Sequence, residues 1–432
     1  MQLSDAECSA GVLQTIRPWR VCSMVDTLFT RRRHERADHP MKVLLVGNYV
    51  PDAQASMQAF SRVLERELPS HGCELRVVTP PRRLQRVAPS SRLWKWLGYI
   101  DKYVLFVPSL VMQARWADVV HICDHSNGMY VRWVKSKPTV ITCHDVIAVQ
   151  AAKGMVEGWD VGWTGRVFQR LIASGLAKAD LIACVSNATQ RALLGLQLAS
   201  IQQVTTVLNG LNDNFSLLGP GEAQQLIDRL GLLANDRYLI HVGMDLPRKN
   251  RKAVVETFIA LQRRAAESAT SAVVSHLILV GPPLSPELAR LASQHGVADR
   301  IIALQDVTHQ ELRALYGRAT ALLFPSLQEG FGWPLIEAQA CGCPVFTSDL
   351  TPMNEIGGPG ACYVDPHDPE AMAHAIEQAA GRFEEMRALG LQNVSNYSAE
   401  KMVTSYLAAY RQVFEAGRSV PERRQGAVQD LQ

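Results

Sequence analysis

The sequence predicts an α/β protein made of two successive, doubly wound parallel sheets. From Met41 onward, short apolar runs alternate with stretches of helical apolar spacing, the strand, helix, strand pattern of parallel sheets. That alternation restarts after the turn-rich Asn209-Gly-Leu-Asn-Asp213. At 432 residues the chain is too long for one ordinary core and fits two domains of roughly 180 residues with a connecting element and tails.

In the first domain, Met41-Lys-Val-Leu-Leu-Val-Gly47 is an apolar strand closed by glycine, followed by helical spacing over Met57 to Leu68 and a strand at Glu74 to Thr79. Further strands are expected at Asp118 to Ile122, Thr139 to Thr142, Leu181 to Val185 and Gln203 to Leu208. The second domain opens with a strand at Tyr238 to Val242 closed by Gly243, a helix over Lys252 to Ala265, and a strand at His276 to Val280 closed by Gly281. Strands at Ile301 to Leu304, Ala321 to Phe324, Val345 to Thr347 and Cys362 to Val364 complete it. Two such sheets can face each other across a cleft at their carboxyl ends.

Composition narrows the function. A hydrophobic content of 47% with 20% charged residues describes a soluble globular protein, and a net charge of +3 is too small to argue for nucleic-acid binding. The nine cysteines are scattered without a C-x-x-C pair and read as buried reduced thiols of a cytosolic protein. No uninterrupted apolar window is long enough to span a membrane, and the first residues lack the apolar core of a secretory signal. Residues 1–40, with Arg31-Arg-Arg-His-Glu-Arg36, read as a flexible extension, and Met41 is available as an alternative start.

The most informative stretch is Glu329-Gly-Phe-Gly-Trp-Pro-Leu-Ile-Glu337. It follows a buried strand and opens a helix, with Pro334 suited to the first turn. Gly330 and Gly332 would let the backbone approach a ligand, and free amides at the helix start favour an anion such as a diphosphate. Glu329 would face the crevice, and Glu337, about one turn into the helix, could accept hydrogen bonds from vicinal sugar hydroxyls. Phosphate in the middle with a carboxylate toward each end suits a nucleotide sugar. Arg248 and Lys249, between the first strand and helix of the second domain, would stabilise charge on a departing diphosphate.

These residues resemble the family 4-type retaining glycosyltransferases, whose signature is Glu-x7-Glu within E-G-F-G-x-P-x-x-E-A, continuing to G-x-P-V. This chain has Glu329, Gly330, Phe331, Gly332, Pro334, Glu337 and Ala338, then Gly342, Pro344 and Val345. The resemblance covers roughly residues 41 to 415 and implies the GT-B fold, two Rossmann-like domains facing across a cleft. It places an acceptor domain at 41–213, a nucleotide-sugar domain at 214–398 and a helix returning to the first domain at 399–416, and the polar residues 417–432 read as a disordered tail. Family members carry a form of G-x-x-x-x-R-K-N, met here by Gly243, Arg248, Lys249 and Asn250, although Met244 stands where many relatives have arginine. Thr142-Cys-His-Asp145 matches the family's T-x-H-D, which implies that His144 lies near the donor sugar and its leaving phosphate.

The resemblance implies donor binding by Gly243, Asn250, Gly330, Phe331, Gly332 and Glu337, with Glu329, His144, Lys249 and Arg248 in catalysis. Acceptor handling falls to Gly47, Asp124 and Asn127. Asp124-His-Ser-Asn-Gly128 offers donors and acceptors for a hydroxyl, or is simply an Asx-type turn closed by glycine. At Gly47 the paired glycines of relatives are missing, and Ala55-Ser-Met57 stands there instead. Ser186 reads as a helix N-cap. The implied reaction moves a hexose-type unit from a nucleoside diphosphate sugar to a carbohydrate or lipid-linked acceptor with retention, in polysaccharide or glycolipid synthesis.

No D-x-D pair suits a metal-diphosphate complex, so neither metal nor cofactor is expected. Residues 80–100 combine Arg82, Arg83, Arg86, Arg92 and Lys95 with Trp94 and Trp96 and no acid, which suits either a solvated amphipathic helix or contact with anionic lipid at the inner face of the cytoplasmic membrane. A nicotinamide oxidoreductase is disfavoured because no G-x-G-x-x-G opens a helix at Gly47 or Gly243. A nucleotide-sugar epimerase or a noncatalytic sugar-nucleotide-binding relative is the remaining alternative.

Overall fold

Twelve described strands form two six-stranded sheets. The computed structural model describes residues 39–52, 54–87, 93–156, 158–229, 237–268 and 273–419. The described residues from Lys42 onward fall in one compact unit that holds both sheets. Residues 1–38 of the extension expected at 1–40, Arg92 and the tail beyond Ser419 lie outside the described residues.

The first sheet contains β1 (Met41–Val46), β2 (Cys73–Val78), β3 (Val119–Ile122), β4 (Thr139–Cys143), β5 (Leu181–Cys184) and β6 (Val204–Thr206) in the order β2-β1-β3-β4-β5-β6. Parallel pairing runs from β1 through β3, β4 and β5 to β6. The second sheet contains β7 (Tyr238–Val242), β8 (His276–Val280), β9 (Ile301–Leu304), β10 (Ala321–Phe324), β11 (Val345–Ser348) and β12 (Ala361–Val364) in the order β12-β11-β10-β7-β8-β9, parallel throughout.

Strands β3, β4, β5, β10 and β11 are buried along their whole length. Helices on both faces of a parallel sheet leave its strands no solvated side, which is why these runs are continuously apolar rather than alternating. Each sheet has its own core, one around Val46, Val120, Ile141 and Ile182 and the other around Leu239, Leu277, Leu323 and Phe346.

The last helix, Ala399–Ser419, inserts two tyrosines into the first sheet's side of the molecule. Tyr406 Oη lies 2.7 Å from Thr142 Oγ1, and Tyr410 Oη lies 2.7 Å from His121 Nδ1. His121 Nε2 lies 2.8 Å from Thr142 Oγ1, closing a buried chain of four polar side chains. This helix continues to Ser419, so residues 417–419, placed in the tail by the sequence, are helical.

Candidate active site

In the second sheet β7 and β10 are neighbours, yet the chain leaves β7 toward β8 and β9 and leaves β10 toward β11 and β12. Loops diverging from such a switch point open a crevice at the carboxyl ends of the strands. Into it project the loop after β7, with Gly243, Arg248 and Lys249, and the loop after β10, with Glu329 to Gly332.

Glu329 ties the two loops together. Its carboxylate accepts from Arg248 Nη1 at 3.0 Å and from Lys249 Nζ at 2.5 Å. Arg248 Nη1 also donates to the Gln328 carbonyl at 3.2 Å. The Glu329 and Lys249 side chains are only 9% and 13% exposed, so the charges are shielded from bulk water and hold each other in place. The sequence reading had Glu329 free to face a ligand, whereas here it is shared between two cations.

Glu337 is buried on the helix Trp333–Ala340. It accepts from Asn212 Nδ2 at 3.0 Å and from Tyr316 Oη at 3.3 Å. Burial penalises the anion and pushes its carboxyl up to about 7.

His144 follows β4 on the opposite wall and is buried. Its Nε2 lies 2.9 Å from the Cys123 carbonyl, and a carbonyl only accepts, so Nε2 carries the hydrogen. Burial holds the ring below its usual pKa. Nδ1 is therefore a lone-pair acceptor, and it has no partner among the described residues. Phe60 meets the ring edge-on at 4.9 Å and fixes its plane. A neutral lone pair on a cleft-lining ring can accept a hydrogen bond from a hydroxyl.

Gly330 has a different reason to be glycine than the one the sequence suggested. A Cβ there would lie 1.8 Å from the His144 carbonyl oxygen, so the close approach that requires glycine is to the opposite wall. Its own carbonyl accepts from Ser186 Oγ at 2.7 Å and Thr189 Oγ1 at 3.1 Å. Ser186 also caps its helix, accepting from Thr189 N. Nearby, Glu355 accepts from the Asn187 and Ala188 amides at 2.8 and 3.2 Å, a carboxylate from the second lobe on the positive end of a first-lobe helix. Gly332, at φ +100°, is the position that does need glycine's backbone freedom.

Between the walls lies a cleft of about 370 Å³. Arg248, Lys249, Glu329 and Glu337 line it from one side together with Gly243 and the backbone of Gly330, Phe331 and Gly332; His144 lines it from the other. Ser56 and Met57, where paired glycines were missing, line it as well.

Four expected residues are placed elsewhere. Asn250, at φ +54°, donates from Nδ2 to the Pro325 and Pro366 carbonyls at 3.2 and 2.8 Å, bracing two loops from behind. Gly47 packs against the end of β2, where a Cβ would meet Thr79 Cγ2 at 3.0 Å. Asp124 caps the helical turn His125–Trp133 and accepts from Asn48 Nδ2 at 2.5 Å, while Asn127 Nδ2 donates to Asn48 Oδ1 at 3.2 Å. This buried network realises the Asx-turn alternative: its polar groups satisfy one another instead of lining the cleft.

The sequence reading took Asn209 and Asn212 only as part of a turn, yet both line the cleft. Asn209 is 1% exposed, and neither its Oδ1 nor its Nδ2 has a partner among the described residues. Nothing in a lone Asn-Gly distinguishes such a group from an ordinary turn.

Two Rossmann-like lobes with a charged cleft between them define a protein of GT-B architecture. The chain belongs to the family 4-type glycosyltransferases: residues 58–215 match Glycosyltransferase Family 4, and residues 223–390 match Glycosyl transferases group 1. It is 29% identical over 259 residues to D-inositol 3-phosphate glycosyltransferase 1 of Catenulispora acidiphila, a match covering 57% of this chain and 60% of that protein. With serotype-specific mannosyltransferase WbdA of Escherichia coli it shares 24% identity over 294 residues, covering 65% of this chain and 35% of that protein. The chain thus matches less than two thirds of either relative's length. Its structure superposes on sucrose-phosphate synthase from Thermosynechococcus elongatus with a TM-score of 0.65 over 87% of this chain and 100% of that one, at 20% identity, a likeness of fold. Matches to named glycosyltransferases do not favour the epimerase or noncatalytic alternatives.

Proposed function

We propose that this protein transfers a hexose-type unit from a nucleoside diphosphate sugar to an acceptor hydroxyl with retention at the anomeric carbon. One observation carries the reading: two cations, Arg248 and Lys249, are held by Glu329 at the switch point of the second sheet, across the cleft from the neutral acceptor Nδ1 of His144. The diphosphate takes over hydrogen bonds from both cations, assisted by the amides around Gly330 to Gly332. Glu329, released from part of its pairing, accepts from donor-sugar hydroxyls, and His144 Nδ1 accepts from another.

As the glycosidic bond breaks, negative charge grows on the diphosphate beside Arg248 and Lys249, whose fixed positions stabilise it without reorganisation. The leaving phosphate oxygen takes the proton of the acceptor hydroxyl, which attacks from the same face. This reading invokes no metal. The test is a panel of UDP-, GDP- and dTDP-sugars assayed for binding and slow hydrolysis. Loss of hydrolysis in Lys249→Ala with folding retained supports the roles given, and unchanged turnover contradicts them.

The setting we propose is synthesis of a polysaccharide or glycolipid at the inner face of the cytoplasmic membrane. Among the described residues no helix is long and apolar enough to cross a membrane. Trp96, Ile100 and Val104 are nevertheless exposed, beside exposed Arg82, Arg83, Arg86 and Lys95. Phe168, stacked on Tyr99 at 4.8 Å, joins this segment to the helix Trp163–Leu176, whose Trp163, Arg166, Val167 and Arg170 share one exposed stripe. Aromatic and basic side chains mixed on one face suit anionic headgroups. Flotation with vesicles containing anionic lipid, and none with neutral vesicles, supports this contact; no association with either removes it.

A further inference from the structure

Among the described residues the His144 ring has one hydrogen bond, from Nε2 to the Cys123 carbonyl at 2.9 Å. Rotation about the Cβ–Cγ bond of a histidine is only broadly restricted, so one such bond leaves the ring able to rock and the direction of Nδ1 depends on packing. Phe60 supplies it, edge-on to the imidazole with centroids 4.9 Å apart and planes at 85°. The ring's other aromatic neighbour, Trp333, lies farther off at 6.3 Å and tilted by 40°.

Phe60 is held in turn from behind. Tyr406 meets it at 5.8 Å and 64°, and His121 meets it at 6.4 Å and 85°. Tyr406 and His121 stack on each other at 4.9 Å, and both reach Thr142 Oγ1, at 2.7 and 2.8 Å. Phe60, His121, Thr142 and Tyr406 are each buried, and in an interior packed this closely a displaced ring displaces its neighbours. Tyr406 belongs to the helix Ala399–Ser419, which the chain enters from the second lobe, where Asn393 Nδ2 donates to Gln339 Oε1 of the cleft helix at 2.8 Å.

We propose that Tyr406 is a positioning residue for His144: its ring, pressed on Phe60, fixes the direction of Nδ1 in the cleft. The inference rests on the glycosyltransferase reading, in which that nitrogen meets a donor-sugar hydroxyl, and adds a residue that lines no part of the cleft. The Tyr406 hydroxyl bonds to Thr142, so the contact that leads to His144 is made by the ring.

Four chains test it: the parent, Phe60→Leu, Tyr406→Leu, and Tyr406→Phe, which loses the hydroxyl and keeps the ring. Two measurements are made on each, the nuclear resonance of the histidine ring nitrogens near neutral pH, with His144 identified by the signals lost in His144→Ala, and the kcat of slow donor hydrolysis. In the parent the His144 signals are those of a bare Nδ1 and a protonated Nε2, well separated. The expected result is that they draw together in both leucine variants as the two tautomers mix. There kcat falls by about tenfold or more, the order of loss that a misplaced reacting group causes. The dissociation constant of the matching nucleoside diphosphate stays within about twofold, since Arg248 and Lys249 stand on the other lobe. Tyr406→Phe keeps the parent's signals and rate. The leucines lie on different helices, so if one variant does not fold the other decides.

Unchanged nitrogen signals in the leucine variants overturn the inference, as does a loss of kcat in Tyr406→Phe equal to that in Tyr406→Leu. Shifted signals with unchanged kcat overturn it as well, because the direction of Nδ1 then has no part in the reaction. Failure of the parent to bind or hydrolyse any UDP-, GDP- or dTDP-sugar overturns the glycosyltransferase reading instead, and the nitrogen signals then decide alone whether Tyr406 holds the ring.

Discussion

Gly330→Ala adds one methyl group at a close backbone contact between the lobes. The new Cβ would sit 1.8 Å from the His144 carbonyl oxygen, 2.9 Å from its carbonyl carbon and 3.0 Å from Asp145 Cβ. Backbone atoms cannot rotate away, so the lobes must separate by roughly 1.5 Å to restore ordinary contact. Separation also breaks the bonds from Ser186 and Thr189 to the Gly330 carbonyl, each worth about 1 kcal/mol net, and residual overpacking adds on the order of 1 kcal/mol. A total near 3 kcal/mol lowers the population of the closed arrangement by on the order of a hundredfold. The variant is therefore expected to stay folded, to show a larger radius of gyration by X-ray scattering, and to lose about two orders of magnitude in kcat/KM for donor hydrolysis. Unchanged scattering and turnover would show that Gly330 does not set the lobe contact.

Other expectations follow from the same geometry. Lys249→Ala removes a cation fixed where diphosphate charge grows and should lower donor hydrolysis by on the order of 10²-fold, with a smaller effect on melting temperature; calorimetry with UDP or GDP checks the binding part. Glu337 has a folded pKa raised from 4.5 to about 7 by burial, so the native state holds its proton more tightly and loses stability as pH rises from about 4.5 to 7. Glu337→Gln should abolish that decline, worth up to about 3 kcal/mol and level above pH 7, in urea unfolding measured from pH 5 to 8. Tyr406→Phe leaves Thr142 Oγ1 without one buried partner and should lower stability by about 1–3 kcal/mol, read from the urea midpoint.

Much of the fold was legible because most strands are short, largely apolar runs closed by a turn. β10 illustrates it: Ala321 to Phe324 is buried throughout and followed at once by Pro325. Strand ends shifted by a residue or two, as where β6 covers only Val204–Thr206, because pairing and not composition decides the last bridge. In the site, Glu329, Glu337, Arg248 and Lys249 stood out by their places between strands and helices and by the family motifs, but their partners did not. Spacing cannot reveal that Glu329 sits between two cations, since that bond spans 80 residues. Nor could it separate Asp124, whose carboxylate is consumed by Ser126 in its own loop and by Asn48, from a residue open to substrate. Asn250 was misplaced for the same reason: its motif neighbours Arg248 and Lys249 turn into the cleft, while its left-handed backbone turns it toward two carbonyls.

A crystal structure with the tightest-binding UDP-, GDP- or dTDP-sugar is the most direct test of the central claim. The account predicts the diphosphate between Lys249, Arg248 and the Gly330–Gly332 backbone, with sugar hydroxyls against Glu329 and His144 Nδ1. Nucleotide density away from the cleft, or Glu329 and Glu337 turned out of it when ligand is bound, would contradict the account.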